Sequence, residues 1–381
     1  MNDGRPSSLN RTGIPVLGEA DTKRPVRTAA SLRDSIARRA EQINRPVRLM
    51  EVCGTHTVAL RRTGVLSLLP DTISLVSGPG CPVCVTPASY IEHALDLIES
   101  EDAVIATFGD MLKVPDRFGR SLAAYMGTEK VKMIYSPWEI IKHAETTRKK
   151  VIFLGIGFET TVPAVATVFL RAHGQGISNM LLYPAFKLVP PALHALLQDE
   201  NFSIDGFLLP GHVSVIIGRT AYRFLCNDYS VPGTVTGFEA EDLLLGIDTL
   251  IGLIADGECG IENCYPRVVR EHGNPKAVEI SRTLFEPADA LWRGFGVIPR
   301  SGLELKPEYR KIDAVSHFGI PPLENTDSGT CRCGEILQGK VLPPECPLFG
   351  SGCTPDRPSG PCMVSSEGAC AAWFQYGGDG I

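Results

Sequence analysis

Eight short apolar runs, separated by helical patterns, constrain the fold of this chain more than any other feature of its sequence. Each run ends in, or directly before, a Gly, Pro or Cys, and most are followed by apolar residues at helical spacing. This alternation is typical of parallel α/β units, in which a helix follows each strand and packs on the sheet. The runs are VRLMEV (47–52), ISLVSG (73–78), AVIATF (103–108), VKMIYS (131–136), VIFLGI (151–156), MLLYP (180–184), GFLLP (206–210) and GTVTG (233–237).

The charged stretch at residues 143–150 divides these runs into an earlier and a later group. We therefore predict an α/β fold with two Rossmann-like domains that face each other across a cleft. After the second domain, Pro and Gly concentrate and regular periodicity fades, which predicts a loop-rich C-terminal domain. The expected limits are 1–47 for an N-terminal arm and helix, 48–148 and 149–265 for the two α/β domains, and 266–381 for the C-terminal domain.

Composition excludes several classes of function. With 381 residues and 44% apolar content, the chain can bury a large core. Its formal charge of −6 is spread along the sequence without a long Lys/Arg run, which argues against nucleic acid or a membrane as a partner. No apolar stretch approaches the roughly 18 residues of a membrane span, and the N-terminal segment lacks the apolar centre of a signal peptide. We therefore expect a cytoplasmic protein.

Polar and sulfur-containing motifs follow six of the predicted strands. They are CGTH, GPGCPVC, FGD, GFETT, PGH and GFE. In parallel sheets, ligands bind outside the carboxyl ends of the strands. These six motifs are therefore expected at the functional edge of the protein.

Two of these motifs carry cysteine. Cys81 and Cys84 have the two-residue spacing of redox dithiols. Cys53 and His56 add a C-x-x-H pair, so the four residues together also fit a Cys₃His zinc site. Spacing alone leaves both interpretations open. We favour a functional site, because this half of the chain has enough predicted strand to build a core without a structural metal.

The C-terminal tail contains a second group of cysteines. Six of the twelve cysteines fall in the last 51 residues, and in a reducing compartment such a count indicates metal binding or thiol chemistry. A [4Fe–4S] cluster needs four thiolates, whereas zinc, the alternative, usually takes them in CxxC pairs that this tail lacks. The predicted cluster ligands are Cys331, Cys346, Cys353 and Cys370, with Cys333 and Cys362 as additional cysteines.

Three further motif residues allow two interpretations each. Glu159 precedes two threonines that either cap the next helix or leave the motif free for a functional role. His212 follows Pro-Gly at a strand end and is either a satisfied polar group or a reactive one. Asp110, after the predicted strand in ATFGD, is compatible with an ordinary helix N-cap as well as with a functional role.

Taken together, five motifs in a fixed order resemble those of the HypD family of [NiFe]-hydrogenase maturation proteins. They are MEVCGTHT, SGPGCPVCVTP, GIGFETT, LPGHVSVIIG and the tail from CRCGEI through CPLFG to CMVSSEGAC. The resemblance runs from about residue 48 to the C-terminus and leaves out only the N-terminal arm.

The resemblance implies a function in cofactor assembly. Members of the family act, with the small protein HypC, as the scaffold on which the Fe(CN)₂CO unit is built, and the carrier HypE supplies cyanide. This implies an assembly scaffold with an electron-transfer role rather than an enzyme that turns over a substrate.

Carried over to this sequence, the resemblance assigns roles to single residues. It makes Cys53 the thiolate that helps to hold the iron and places His56 at the same site. It makes Cys81 and Cys84 a redox-active dithiol in the cleft. His212 and Glu367 are expected to line the cleft or the partner surface. The resemblance also implies a [4Fe–4S] cluster that feeds electrons to the dithiol in a manner similar to ferredoxin:thioredoxin reductase. Its ligands are Cys331, Cys346, Cys353 and Cys370.

Two rival functions remain at the level of the sequence. One is an iron–sulfur thiol-disulfide oxidoreductase that acts on a protein disulfide, and the other is a zinc-stabilised binding module. Metal content distinguishes them, since the scaffold holds iron beyond the four atoms of its cluster, the oxidoreductase holds only those four, and the module holds zinc.

Overall fold

A computed structural model of the chain describes residues 27–200, 202–326 and 329–377. Most of the predicted polar arm, residues 1–26, lies outside the described residues. The amphipathic helix predicted after the arm is present, and it packs along a long apolar helix near residue 250.

All eight apolar runs form strands, as predicted. Three further strands were missed by the sequence patterns, because one is very short and two lie in the segment expected to be loop-rich. In chain order the strands are β1 Val47–Glu51, β2 Ile73–Ser77, β3 Ala103–Thr107, β4 Val131–Met133, β5 Lys150–Gly155, β6 Met180–Pro184, β7 Gly206–Pro210, β8 Gly233–Thr236, β9 Ile261–Asn263, β10 Phe285–Trp292 and β11 Gly296–Leu305.

Helices follow most of the strands. The helices are α1 Ala29–Ile43, α2 Gly54–Arg62, α3 Ser89–Ser100, α4 Trp138–Thr146, α5 Val162–Gly174, α6 Val189–Leu197, α7 Gly211–Ile217, α8 Phe224–Tyr229, α9 Ala240–Asp256, α10 Pro275–Leu284, α11 Ala314–Phe318, α12 Cys333–Leu337, α13 Pro361–Val364 and α14 Ala369–Tyr376. None of these described helices is both long enough and apolar enough to cross a bilayer.

The strands form two fully parallel sheets and one antiparallel hairpin. The five-stranded sheet has the order β2-β1-β7-β8-β9, and the four-stranded sheet has the order β4-β3-β5-β6. Strands β10 and β11 pair with each other. Parallel sheets with helical crossovers confirm the predicted α/β class.

The predicted grouping of strands at residues 143–150 is wrong. Strands β5 and β6 follow this stretch, yet they pair with β3 and β4. The chain then returns to the first sheet, where β7 pairs with β1 through Leu49 and Gly206. Periodicity locates a strand but does not say which sheet edge it joins. The two sheets therefore do not coincide with the contiguous limits 48–148 and 149–265.

One apolar core joins the two sheets, and two further cores cover their outer faces. Alternate residues of a strand serve different cores: Ile152 of β5 lies in the central core and Phe153 in the outer core under α4 and α5. In the other sheet, Met50 lies in the central core and Leu49 packs with α1 and α9. Because both faces are covered, central strands such as β3 are buried at every position.

The C-terminal part of the chain is less loop-like than predicted. It contains the β10–β11 hairpin and several short helices, and its apolar residues Ile336, Leu337 and Met363 belong to the central core. The last helix, α14, packs against α2, where the Arg61 guanidinium lies 3.6 Å from the centre of the Trp373 ring. The tail is thus built onto the α/β body.

Candidate functional site

Four of the six strand-end motifs lie at one edge of the five-stranded sheet. CGTH follows β1, GPGCPVC follows β2, PGH spans the end of β7 and the start of α7, and GFE follows β8. The remaining two, FGD and GFETT, follow β3 and β5 of the other sheet. The carboxyl ends of adjacent parallel strands meet at one sheet edge, and this geometry brings the motifs together.

Cys53 stands where β1 passes into α2, in backbone contact with the dithiol motif. It occupies the position before α2 and is buried. The Gly54 amide donates to the Gly80 carbonyl oxygen at 2.9 Å. A Cβ atom built on Gly80 would lie 2.3 Å from the Cys53 nitrogen, so only glycine allows this approach. This contact links CGTH to GPGCPVC.

A buried carboxyl group, Glu51, and a half-buried one, Glu367, lie close to Cys53. Glu51 accepts a hydrogen bond from the Cys53 amide at 3.0 Å and another from the Thr57 hydroxyl. Burial raises the pKa of Glu51 to about 7. Burial, followed by the charge of Glu367, raises the pKa of the Cys53 thiol to about 12. The site therefore keeps Cys53 protonated until a cation or a metal compensates its charge.

Glu367 reaches this site from the C-terminal tail. Its Oε1 atom accepts from the Thr55 hydroxyl at 2.6 Å, and a Cβ atom on Gly54 would lie 2.4 Å from the Glu367 Cβ. Burial raises the pKa of Glu367. Glu367 thus lies at the start of α2 beside the predicted iron ligand.

Asp110 also connects to the tail. Its carboxylate accepts hydrogen bonds from the hydroxyls of Ser365 and Ser366, each at 3.3 Å. The interpretation as an ordinary helix cap is wrong, because Asp110 lies inside a short 3₁₀ helix, Gly109–Met111, whose N-cap residue is Phe108.

His56 and His212 both pack against Phe238, a residue of the GFE motif. The ring centre of Phe238 is 4.9 Å from that of His56 and 4.0 Å from that of His212. His56 is fully buried, and burial lowers its pKa to about 4, so it is neutral at physiological pH. Within the described part of the chain neither of its ring nitrogens has a hydrogen-bond partner, although the Thr236 and Gly237 backbone lies close to the ring. His212 is exposed.

Cys81 and Cys84 form a disulfide with a Cα–Cα distance of 5.3 Å. Both cysteines are buried, and the Cys84 amide donates to the Cys81 sulfur at 3.2 Å. While the bond is closed, the two sulfurs offer no thiolate to zinc. The Cys₃His interpretation therefore applies only to the reduced protein.

Glu159 follows β5 of the four-stranded sheet, and helix capping by the neighbouring threonines does not explain this motif. Thr161 precedes α5, but its side chain makes no capping hydrogen bond, so that interpretation is wrong. Instead, the Glu159 Oε1 atom accepts from the Val189 amide at 2.9 Å, and burial raises its pKa to about 7. Burial, followed by the neighbouring Glu159, raises the pKa of the Tyr222 hydroxyl, which also interacts electrostatically with Cys53.

All six tail cysteines line one cavity. Apolar residues, among them Ile336, Phe349 and Met363, complete its wall. Cys333 and Cys362, which were predicted as additional cysteines and not as ligands, belong to the same group of thiols. The lining cysteines are Cys331, Cys333, Cys346, Cys353, Cys362 and Cys370.

The thiols of this cavity are suited to an iron–sulfur group, although they are not arranged as a closed metal site. Among residues 27–200, 202–326 and 329–377, no three His, Cys, Asp or Glu side chains converge on a point at which they could hold a single ion. A cluster is larger than one ion, and cysteine thiolates are its usual ligands. The donor set and its surroundings therefore fit such a group.

Sequence reasoning missed three residues of these sites. Glu51 is a carboxylate inside an apolar strand, which was the available signal. Arg293 is buried at the tip of the β10–β11 hairpin beside the cysteine cavity. Tyr222 gave no local signal, because only the fold brings it near Cys53.

Comparison with known proteins identifies the family of this chain. Residues 27–377 match the family model HypD, described as the hydrogenase formation hypA family. The hydrogenase maturation factor HypD of Escherichia coli (strain K12) is 41% identical over 347 residues, which cover 91% of this chain and 93% of that protein. The hydrogenase expression/formation protein HupD of Azotobacter chroococcum is 40% identical, over 92% of this chain and 94% of its own. The factor HypD of Rhodobacter capsulatus is 38% identical, over 92% and 96% respectively. Because the family model spans residues 27–377 and relatives about 40% identical cover at least nine tenths of the chain, this chain belongs to the HypD family of hydrogenase maturation factors.

Proposed function

We propose that this chain is the scaffold on which, together with a HypC-type partner, the Fe(CN)₂CO unit is assembled, and that Cys53 binds the iron during assembly. The observation that carries the proposal is the backbone contact between Gly80 and Cys53, which brings a single buried thiol next to a dithiol. Soft thiolate ligands suit iron that carries strong-field diatomic ligands. The iron is cargo here, since it leaves with the finished unit.

The residues around Cys53 support a site that excludes water. Cys53, His56 and Glu51 are buried, and the neutral imidazole of His56 has no protein hydrogen bond to give up within the described residues. His212 is exposed and stacks on Phe238, and Glu367 lies at the start of α2. We propose that these last two face the HypC-type partner or the HypE-type protein that delivers cyanide.

The dithiol and the tail supply electrons in this proposal. Cys331, Cys346, Cys353 and Cys370 would hold a [4Fe–4S] cluster, which when bound provides one-electron chemistry. The chain itself positions the Cys81–Cys84 disulfide, whose opening takes up two electrons and two protons and yields two thiols.

A second function is favoured by one observation, the closed Cys81–Cys84 disulfide. A thiol-disulfide oxidoreductase that acts on a protein disulfide would need such a pair. It would not need Cys53, because a buried thiol outside the C-x-x-C loop adds nothing to exchange at that loop.

The proposal is tested by infrared spectroscopy of the chain co-expressed with a HypC-type partner and purified without oxygen. Cys53→Ala should remove the bands of iron-bound CN and CO and abolish hydrogenase maturation, because the iron loses its thiolate ligand. The iron–sulfur absorption of the tail should be unchanged. Cys264→Ala, a buried cysteine that follows β9, is the matched control and should retain the bands.

Retention of the CN and CO bands by Cys53→Ala would contradict the iron site. Iron confined to the four atoms of a cluster, with no bands in the unaltered chain either, would favour the oxidoreductase.

A further inference from the structure

The tip of the β10–β11 hairpin lies between the disulfide loop and the cysteine cavity. Arg293 at this tip is only 5% exposed. Its backbone amide donates to the Val85 carbonyl oxygen at 2.8 Å, and its side-chain Nε donates to that of Thr86 at 3.2 Å. Both acceptors belong to the segment that directly follows Cys84, so the hairpin tip holds the end of the disulfide loop.

The same tip also contacts the tail. Arg293 lines a cavity together with Cys331 and Cys333, so its positive charge lies on the same cavity wall as these two cysteines. The next residue, Gly294, has a φ of +83°, and a Cβ atom there would lie 2.5 Å from the Gly334 Cα. The Gln338 side chain donates to the Gly294 carbonyl oxygen. Two residues of one hairpin tip thus contact both redox-active regions.

We propose that Arg293 is a positioning residue, which fixes the Cys81–Cys84 loop relative to the tail cysteines so that electrons delivered at the tail open the disulfide. This inference rests on the proposed function, because it takes the tail cysteines as ligands of a cluster. Arg293 itself neither gains nor loses electrons or protons in this step. The step it serves breaks the Cys81–Cys84 bond, consumes two electrons and two protons, and leaves two thiols.

An arginine is suited to this position for two reasons. Its planar guanidinium presents donors in a rigid fork, so one N–H can hold the Thr86 carbonyl while the charge stays beside the cysteines. A nearby cation also favours the more reduced, more negative form of an iron–sulfur group, because added negative charge is stabilised. Lysine at this position would keep the charge and lose the fork, whereas methionine would lose both.

The test compares Arg293→Met and Arg293→Lys with the unaltered chain, purified without oxygen and reduced with dithionite. Mass spectrometry after thiol labelling follows the opening of Cys81–Cys84. We expect at least tenfold slower opening in Arg293→Met, with partial rescue by lysine. The reduction equilibrium of the cluster should shift tenfold in Arg293→Met, which is 59 mV towards negative potential for one electron, and stay in place in Arg293→Lys. Arg300→Met, an exposed arginine of the same hairpin, is the control and should change neither quantity.

Hydrogen exchange provides a readout that does not depend on the cluster. The amides of residues 83–86 should exchange at least tenfold faster in Arg293→Met, because the loop loses its side-chain anchor. Unchanged exchange together with unchanged opening kinetics would overturn the inference. If the unaltered chain binds no iron–sulfur group, the proposed function fails. Amide hydrogen exchange of residues 83–86 and the rate at which dithiothreitol opens the Cys81–Cys84 disulfide then decide the role of Arg293. If Arg293→Met does not fold, the comparison of Arg293→Lys with the unaltered chain decides it.

Discussion

At the scale of single residues, the strand ends carry buried acidic side chains whose ionisation costs free energy. They also carry a close backbone contact that only glycine permits. Glu51 and Glu159 are buried carboxyl groups, each with a pKa raised to about 7, and Cys53 is a buried thiol. Gly80 allows the backbone of the dithiol motif to touch Cys53. Such groups lower the stability of the fold at neutral pH, which is the usual cost of a functional site.

Glu159 gives a prediction about stability and pH. Its pKa is raised in the folded chain from an ordinary 4.5 to about 7, so the folded state holds the proton more tightly than the unfolded state. The free energy of unfolding should therefore fall as the pH rises from about 4.5 to 7, by roughly 3 kcal/mol for this group. Glu159→Gln keeps the acceptor for the Val189 amide and should remove that part of the pH dependence, so the variant is the more stable protein at pH 8.

Urea denaturation at pH 5 and pH 8 measures this difference. Glu279→Gln, an exposed position on α10, is the control and should follow the unaltered chain. Parallel pH profiles for Glu159→Gln and the unaltered chain would show that this carboxyl group is not desolvated as described.

At the scale of elements, a second disulfide joins α8 to the segment before β9. Cys226 of α8 is bonded to Cys259, which precedes β9, with a Cα–Cα distance of 5.5 Å. Just before α8, a short 3₁₀ turn carries Tyr222, whose buried hydroxyl lies near Cys53. This bond was not expected, because the sequence analysis assumed a reducing compartment with few disulfides.

The Cys226–Cys259 bond should contribute measurably to stability. Its partners are 33 residues apart, and closing a loop of that length in the unfolded chain is worth roughly 3 to 4 kcal/mol. A double variant, Cys226→Ser with Cys259→Ser, should lose about that amount relative to the oxidised chain. In dithiothreitol the two proteins should unfold at the same urea concentration. Equal midpoints without reductant would mean that the bond is absent in solution.

At the scale of the whole molecule, the tail is part of the body rather than an appendage. Its apolar residues complete the central core, α14 packs on α2, and Glu367 reaches the start of α2. The Gly339 backbone lies against Met50 and Val76 of the five-stranded sheet. Loss of order in the tail should therefore affect the surroundings of Cys53 as well.

This coupling leads to a prediction for the cysteine cavity. Cys346→Ala and Cys353→Ala should each remove the brown iron–sulfur absorption, because a cluster ligand is lost. Hydrogen exchange should accelerate beyond residue 331 and also in α2, while the four-stranded sheet stays protected. Cys264→Ala, outside the tail, should keep both the colour and the protection. Persistence of the absorption in both tail variants would contradict the ligand assignment.

The sequence by itself determined eight of the eleven described strands and the motifs that end them. Apolar periodicity is local, so it predicted β1 to β8, and Gly, Pro and Cys marked the strand ends. The parallel α/β class and the position of Cys53, Cys81 and Cys84 at sheet edges follow from the same local signal. Motif order further indicated the family, which the comparisons confirm.

Only the tertiary structure decided which strands share a sheet and which side chains meet. Strand pairing depends on contacts between distant segments, which local patterns do not encode, and the split at residues 143–150 was therefore wrong. For the same reason the sequence missed Arg293 between the disulfide loop and the tail, and the inclusion of Cys333 and Cys362 in the cysteine cavity. These contacts exist because burial of apolar surface draws the hairpin, the tail and both sheets into one core, whatever their separation along the chain.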